Sequence, residues 1–364
     1  MASAPKLRFV DKNGSEFFAL VKSRVDQYFT EKNLSKHANA LMVFKTFFFF
    51  GGTFVLLSLC LFGSFSLWAM FGMAIVMGVL QACVGFNVSH DAIHGAYSGN
   101  PAINRLIAYS FGIVGANQTV WALSHNIVHH TYTNIEGHDE DLIIAPGLVR
   151  LTKHDKKAPI QRYQQYYAFL LYGFASLSWV FRKDYVKFHQ DKIGQQPYHP
   201  KKTFRDYFEL YFFKALNYTL FIVLPLVLID GLAWWQWLIG FFCMHLAMGF
   251  TLGLVFQLAH VVEETEMVEV NIEGNVEEAW AVHQMRTTAD FARASWLVTF
   301  MVGGLNYQVE HHLFPKVCHV HYPAISHIVK QTAEDCGVPY LENKTFLGAL
   351  KSHYTVLKRL GTAA

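Results

Sequence analysis

Four stretches of this chain lose almost all polar positions for the roughly 20 residues a helix needs to cross a hydrocarbon core: 42–62, 66–88, 210–229 and 232–259. They fall in two close pairs, separated only near Gly63-Ser64 and by Asp230-Gly231, and this spacing predicts two hairpins of spanning helices. Neither connection carries Lys or Arg, whereas 182–214 holds Arg182, Lys183, Lys187, Lys192, Lys201, Lys202, Arg205 and Lys214. The positive-inside rule therefore places that loop in the cytoplasm, and with it both termini and the segments 1–41, 89–209 and 260–364.

Shorter apolar runs need a different reading. Tyr166 to Phe181 is too short to span, and if it crossed, the basic loop would lie outside and the histidines after residue 300 would be parted from those before 131. It is read as an interfacial or re-entrant helix, as are 106–123 and 294–305. The fourth span is instead too long: 28 residues at about 1.5 Å each reach roughly 42 Å, some 12 Å beyond the hydrocarbon core. Its cytoplasmic end should project from the bilayer, and that end carries His260.

Composition agrees with a lipid-facing chain, since 52% of the 364 residues are hydrophobic and only 16% charged, too apolar for an ordinary soluble domain. No linker, low-complexity tract or repeat divides it, so residues 1–364 are read as a single domain. The net charge of +3 fits a solvated surface rather than a nucleic-acid site. Cys60, Cys83, Cys243, Cys318 and Cys336 show neither CxxC nor disulfide-like spacing, which points to a reducing compartment. No apolar core with a small-residue cleavage site stands at the N-terminus, so insertion is expected to use the internal spans.

The chemistry lies in the histidines. His90-Asp-Ala-Ile-His94 is HxxxH, His125-Asn-Ile-Val-His129-His130 is HxxHH, and Gln308-Val-Glu-His311-His312 is QxxHH. Residues three and four apart share a helix face, so each box can turn its donors toward one site, and His130, about 100° round from His129, can reach a second metal. Chance would supply about one HxxxH in such a chain and an HxxHH about one time in 20. Three boxes on one predicted side of the membrane therefore point to a metal site. His260, three residues after Gln257, ends the overlong span at the same height and is a further candidate ligand.

The remaining histidines are read more plainly, because a single histidine near an apolar helix is more often a hydrogen-bonded structural residue. His37, His154, His189, His199, His283, His327 and His353 belong there, and His245 lies some 22 Å along its helix from His260. His319 and His321 are read as surface groups or outer partners of a ligand. Eight or nine nitrogen donors exceed the three or four of one zinc centre and suit two borderline cations such as iron. Asp91, Glu136, Asp139, Glu140, Asp141, Glu263, Glu264 and Glu310 lie near the boxes, each taken singly as a solvated charge or helix cap rather than a partner of a ligating histidine.

At these residues the sequence resembles the membrane fatty acid desaturase superfamily, marked by HxxxH, HxxHH and [HQ]xxHH. Local context agrees in HDAIHG from His90, WALSHNIVHHTYTN from Trp121, the acidic Asp139-Glu140-Asp141, and GGLNYQVEHHLFP from Gly303. The resemblance covers about residues 45 to 330, and Gln308 opening the third box is similar to front-end desaturases and some sphingolipid desaturases. It implies an all-α integral membrane protein with a cytosolic helical cap over a di-iron centre, placing a cis double bond in a long-chain acyl-CoA or acyl-lipid with O2 as co-substrate. His90, His94, His125, His129, His130, His311 and His312 would be ligands, His260 matches a further ligand between boxes two and three, and Gln308 would bind directly or through water. Many front-end members carry a fused cytochrome b5 domain. Residues 1–41 contain only His37, so electrons are expected from a separate ferredoxin or cytochrome b5, in a bacterial inner membrane or endoplasmic reticulum.

Other functions are open on the same residues. A hydroxylase or ketolase would share the boxes and differ in product. A membrane zinc hydrolase would need only about three histidines and an acidic base, and a transporter would line its spans with ionisable groups, where this chain has only His245 and the terminal Lys45 and Lys214.

Overall fold

The computed structural model describes all residues except 1–6, 11–14, 143, 194–195, 198–201, 272 and 364. His199, Lys201 and the extreme N-terminus of the sequence reading therefore lie outside the described residues. Four helices are long and apolar enough to cross a membrane: Ala40–Phe62, Leu67–Ile93, Phe204–Leu228 and Trp234–His260. Between 22% and 39% of their apolar windows is buried against protein, and Phe47, Phe62, Trp68, Val227 and Trp234 point outward with most of their surface free. Helices in water would hide such faces, so these surfaces fit a lipid environment.

Local signals set the helix starts. The side chains of Asn39, Ser66 and Thr203 accept hydrogen bonds from the backbone N–H of Met42, Ala69 and Asp206, satisfying donors that have no helical partner. The second span continues past the predicted end at residue 88, through a π turn at Gly85–Ser89, to Ile93. His90 therefore stands on the spanning helix itself.

The second and fourth spans pack along their length, and at Gly78 a Cβ would run into the backbone of Met244. The first span lies against the second, and the third against the helix Pro101–Ile113. Trp234–His260 has 27 residues, about 40 Å of rise.

The shorter apolar runs are not straight helices. Residues 164–189 break at Gly173-Phe174 into short pieces, of which Gln164–Tyr172 and Ala175–Ser178 pack on the fourth span, and 101–132 bends by 110° between Pro101–Ile113 and Gln118–Tyr132. Around residue 296 only Trp296–Met301 is helical. The N-terminal helix Ser15–Glu31 packs on Tyr322–Asp335 and the C-terminal helix Phe346–Thr362 on Gln164–Tyr172. Among the described residues, β structure amounts to three two-residue pairs, Arg8–Phe9 with Asn275–Val276, Lys192–Ile193 with Gln196–Pro197, and Asp290–Phe291 with Glu342–Asn343, and one isolated bridge between Ile135 and Val268.

Two lysines read as terminal are deep in the protein. The spans begin earlier than the hydropathy suggested, so Lys45 and Lys214 are 2% and 3% exposed. Lys214 Nζ bonds Asp184 Oδ2, Trp179 O and Gly115 O, which compensates the burial of its charge.

Candidate metal centre

Three helix ends and one short buried helix deliver the boxes. His90 ends the second span and His94 follows it, after which Gly95 at φ +76° turns the chain away. The third box lies on Gln308–Leu313, every residue of which is buried. Gly303, at φ +63°, brings this segment so close to the second span that a Cβ would meet the backbone of Phe86 and Asn87.

The second box departs from the expected α geometry. Leu123–His129 winds as a π helix, whose i to i+5 bonds bring His130 back over His125 while it still stands well round from its neighbour His129. The His125 ring centroid lies 5.0 Å from that of His129 and 4.9 Å from that of His130. Such turns cluster at functional sites.

The histidines form two adjoining groups. His90, His94, His125 and His311 bring one nitrogen each to within 4.8 Å of one another, as do His129, His260 and His312. His130 joins the groups, standing with His311 and His312 in a third set of the same kind. Metal–imidazole bonds of about 2.0–2.1 Å suit donors at this separation.

The donor atoms fit that purpose. Nε2 of His90, His94, His125, His129, His130, His311 and His312 is buried without a protein hydrogen-bond partner, a condition that costs about 1–3 kcal/mol per group unless something binds there. The Nδ1 atoms mostly face partners: Asp139 Oδ2 for His129 at 2.9 Å, Asp141 Oδ2 for His125 at 3.4 Å, Gln284 Oε1 for His312 at 2.8 Å, the Tyr322 hydroxyl for His311 at 3.3 Å, and Thr287 O for His260 at 3.3 Å. Acceptors on Nδ1 keep the proton there and leave Nε2 as a lone pair, the arrangement of a metal-binding imidazole. Gln308 stands in the second group with Nε2 3.0 Å from His260 Nε2.

Burial favours the neutral form of His311 and His312, whereas at His129 the carboxylates of Asp139 and then Asp141 outweigh burial and raise it. Burial, then the neighbouring His90 and His94, draws His311 well below the ordinary histidine range, and burial followed by His129 and His260 does the same to His312. Burial disfavours charge on Asp141, but its bond with His125 and the charges of Lys183, His129 and Lys187 outweigh that and hold it below the usual carboxylate range.

Several carboxylates are not the solvated charges expected from the sequence. Asp91, Asp139 and Glu310 are 0–3% exposed; Asp139 and Asp141 back the second box. Asp91 lies 3.6 Å from His90 Nδ1 and 2.9 Å from His319 Nδ1, and Lys45 Nζ meets His319 Nε2 at 2.7 Å. His319 is thus no surface group, although the outer-partner reading of it agrees with this contact. Glu310 points away from the histidines to Tyr340, whose hydroxyl lies 2.9 Å from Glu310 and 2.6 Å from Asp290. Glu136, Glu140 and Glu264 pair instead with Thr152, Lys187 and Ser352. These differences arise because exposure is set by tertiary packing, which adjacent residues in sequence do not reveal.

The other histidines stand apart from the groups. His37, His189, His283 and His353 bond Ala96 O, Tyr185 O, Thr133 O and Val261 O, His154 faces Glu269, and His327 is exposed. His245 bonds Ser176, and His321 bonds His37 O. Trp121 stacks on His125 at 4.2 Å, whereas Tyr307 is buried with its hydroxyl donating to Arg293 O.

Sequence reasoning passed over the helix Trp280–Thr287. Trp280 Nε1 donates to His130 O, His283 bonds Thr133 O, Gln284 meets His312 and Thr287 O meets His260. Positions 280, 283, 284 and 287 form one helical face, a spacing that could have flagged it.

Comparison with known proteins decides the class. A family model described as fatty acid desaturase matches residues 66–344. The chain belongs to the fatty acid desaturase family. This desaturase is 36% identical over 375 residues, all of both chains, to a protein from Synechocystis sp. named sn-1 linoleoyl-lipid 6-desaturase. It is 34% identical to an acyl-lipid (8-3)-desaturase from Physcomitrium patens, over 98% of this chain and 74% of that one. It is also 31% identical to an acyl-lipid (8-3)-desaturase from Mortierella alpina, over 95% and 78%. The desaturase is accordingly an oxidoreductase, with four membrane-spanning candidates and buried histidine groups compatible with metal.

Proposed function

We propose that this desaturase introduces a cis double bond into a long-chain acyl group of a membrane lipid, at a di-iron centre held by His90, His94, His125, His129, His130, His260, His311 and His312, with Gln308 beside it. The observation that carries the proposal is the convergence of buried, unpartnered Nε2 atoms, six in two adjoining groups and a seventh, of His130, joining them. Bound iron supplies the O2-dependent redox chemistry that breaks an unactivated C–H bond, for which no side chain suffices. One acyl CH2–CH2 unit, O2, two electrons and two protons give CH=CH and two waters, so a ferredoxin or cytochrome b5 protein is the proposed electron source.

The chain's own part is orientation and exclusion of water. Asp139, Asp141, Gln284, Tyr322 and Thr287 O fix ring directions, and Trp121 covers one face of His125. His90, His94, His125 and His130 retain 5–8% exposure while His129, His260, His311 and His312 retain none. The acyl chain therefore approaches from the side of the first group.

Front-end regiochemistry belongs to the same proposal, supported by Gln308 and by the Synechocystis and Physcomitrium relatives, named a linoleoyl-lipid 6-desaturase and an acyl-lipid (8-3)-desaturase. So does the arrangement of residues 1–364 as one domain, with two hairpins and the histidines and both termini on the cytosolic side. The basic residues Arg182, Lys183 and Lys187 on one side and the uncharged turn at residues 63–66 on the other support it.

The test is expression in a host whose lipids contain linoleoyl chains, followed by mass spectrometry with double-bond localisation. A new double bond on the carboxyl side of the existing one is expected. Hydroxylated or keto lipids would move the activity to a sister reaction, and a bond on the methyl side would overturn the front-end assignment.

A further inference from the structure

Gln284 holds a position that no sequence box assigns. It is fully buried on the second turn of Trp280–Thr287, and its Oε1 lies 2.8 Å from His312 Nδ1 and 2.8 Å from the hydroxyl of Thr133, which donates to it. Thr133 itself follows the second box, and its oxygen is 3.3 Å from the same His312 nitrogen. Thr133, just after the second box, and His312 of the third, 179 residues apart, thus meet at one amide oxygen, while the Gln284 nitrogen has no protein partner.

The direction of this amide has a chemical consequence. An oxygen facing Nδ1 requires the imidazole proton to sit on Nδ1, which frees the His312 Nε2 lone pair toward His129 and His260. A donor facing Nδ1 would force the proton onto Nε2 and remove that lone pair from the site. Histidine tautomer is set by what its second nitrogen meets, and His312 meets an uncharged acceptor where His129 meets the carboxylate of Asp139.

We propose that Gln284 is a positioning residue for the metal centre, holding His312 in the Nδ1–H form and fixing its ring plane between the two histidine groups. The inference rests on the reading of His312 as a ligand. Loss of such a partner typically weakens metal affinity 10–100-fold. Gln284→Met keeps the volume but removes the acceptor; Gln284→Glu keeps an acceptor in place.

The test titrates ferrous iron, under a competing chelator and without turnover, into full-length protein stripped of metal, comparing wild type, Gln284→Met, Gln284→Glu and His312→Ala. Expected are 10–100-fold weaker binding in Gln284→Met, affinity restored close to wild type in Gln284→Glu, and loss of a site in His312→Ala. Cobalt(II) substitution adds a spectroscopic readout, with the visible bands of one site altered in Gln284→Met and not in Gln284→Glu. Equal weakening in Met and Glu variants would reduce Gln284 to packing and overturn the inference, as would wild-type affinity in both while His312→Ala loses metal. Wild-type affinity in His312→Ala would instead remove the ligand reading on which it rests.

Discussion

Asp139 Oδ2 lies 2.9 Å from Nδ1 of His129, with both side chains fully buried. Its other bonds run to the backbone N–H of Asn134 and Asp141, so one carboxylate closes the turn after the second box and directs the His129 ring. Asp139→Ala should weaken metal binding by about 10–100-fold, and Asp139→Asn, which keeps an accepting oxygen, should lose less. Metal content after dialysis against a weak chelator, with helicity by circular dichroism as control, checks the order.

How much of this was legible in the sequence follows the range of the interactions. The spans could be read because 20 consecutive apolar residues are a local signal, and His260 because helix length is arithmetic. The boxes could be read as spacing, but not the π winding of Leu123–His129. Partners at a distance, Gln284 and Thr287 for His312 and His260 or Lys45 and His319 around Asp91, carry no local mark. Asp91 and Asp139 read as ordinary charges because nothing adjacent to them announces burial.

Helix packing offers a test independent of the metal. A Cβ on Gly78 would run into the Met244 backbone, whereas one on Gly72, in the same helix, meets nothing within 4 Å. Gly78→Ala should cost about 1–3 kcal/mol through overpacking. Gly72→Ala should be neutral or gain up to about 1 kcal/mol from helix propensity. Thermal unfolding in detergent should separate the two, and equal shifts would contradict the close contact.

Asp290 gives a pH dependence. Burial raises its carboxyl from 3.8 to about 6, and burial with the Asp290 charge raises Glu310 as well. A carboxyl raised on folding favours the folded state most when protonated. Its contribution is complete below 3.8 and is lost as pH climbs through about 6. Asp290→Asn should therefore flatten the fall in stability between those values, measured by unfolding temperature at fixed ionic strength. An unchanged slope would contradict the burial of a titrating pair.

The most direct measurement is the metal content of the purified, active desaturase, set beside that of His129→Ala and His311→Ala. Two irons per chain in the wild type, with loss of metal and of lipid desaturation in both variants while each stays in the membrane, is the predicted result. Zinc in place of iron, or full activity in either variant, would contradict the di-iron centre.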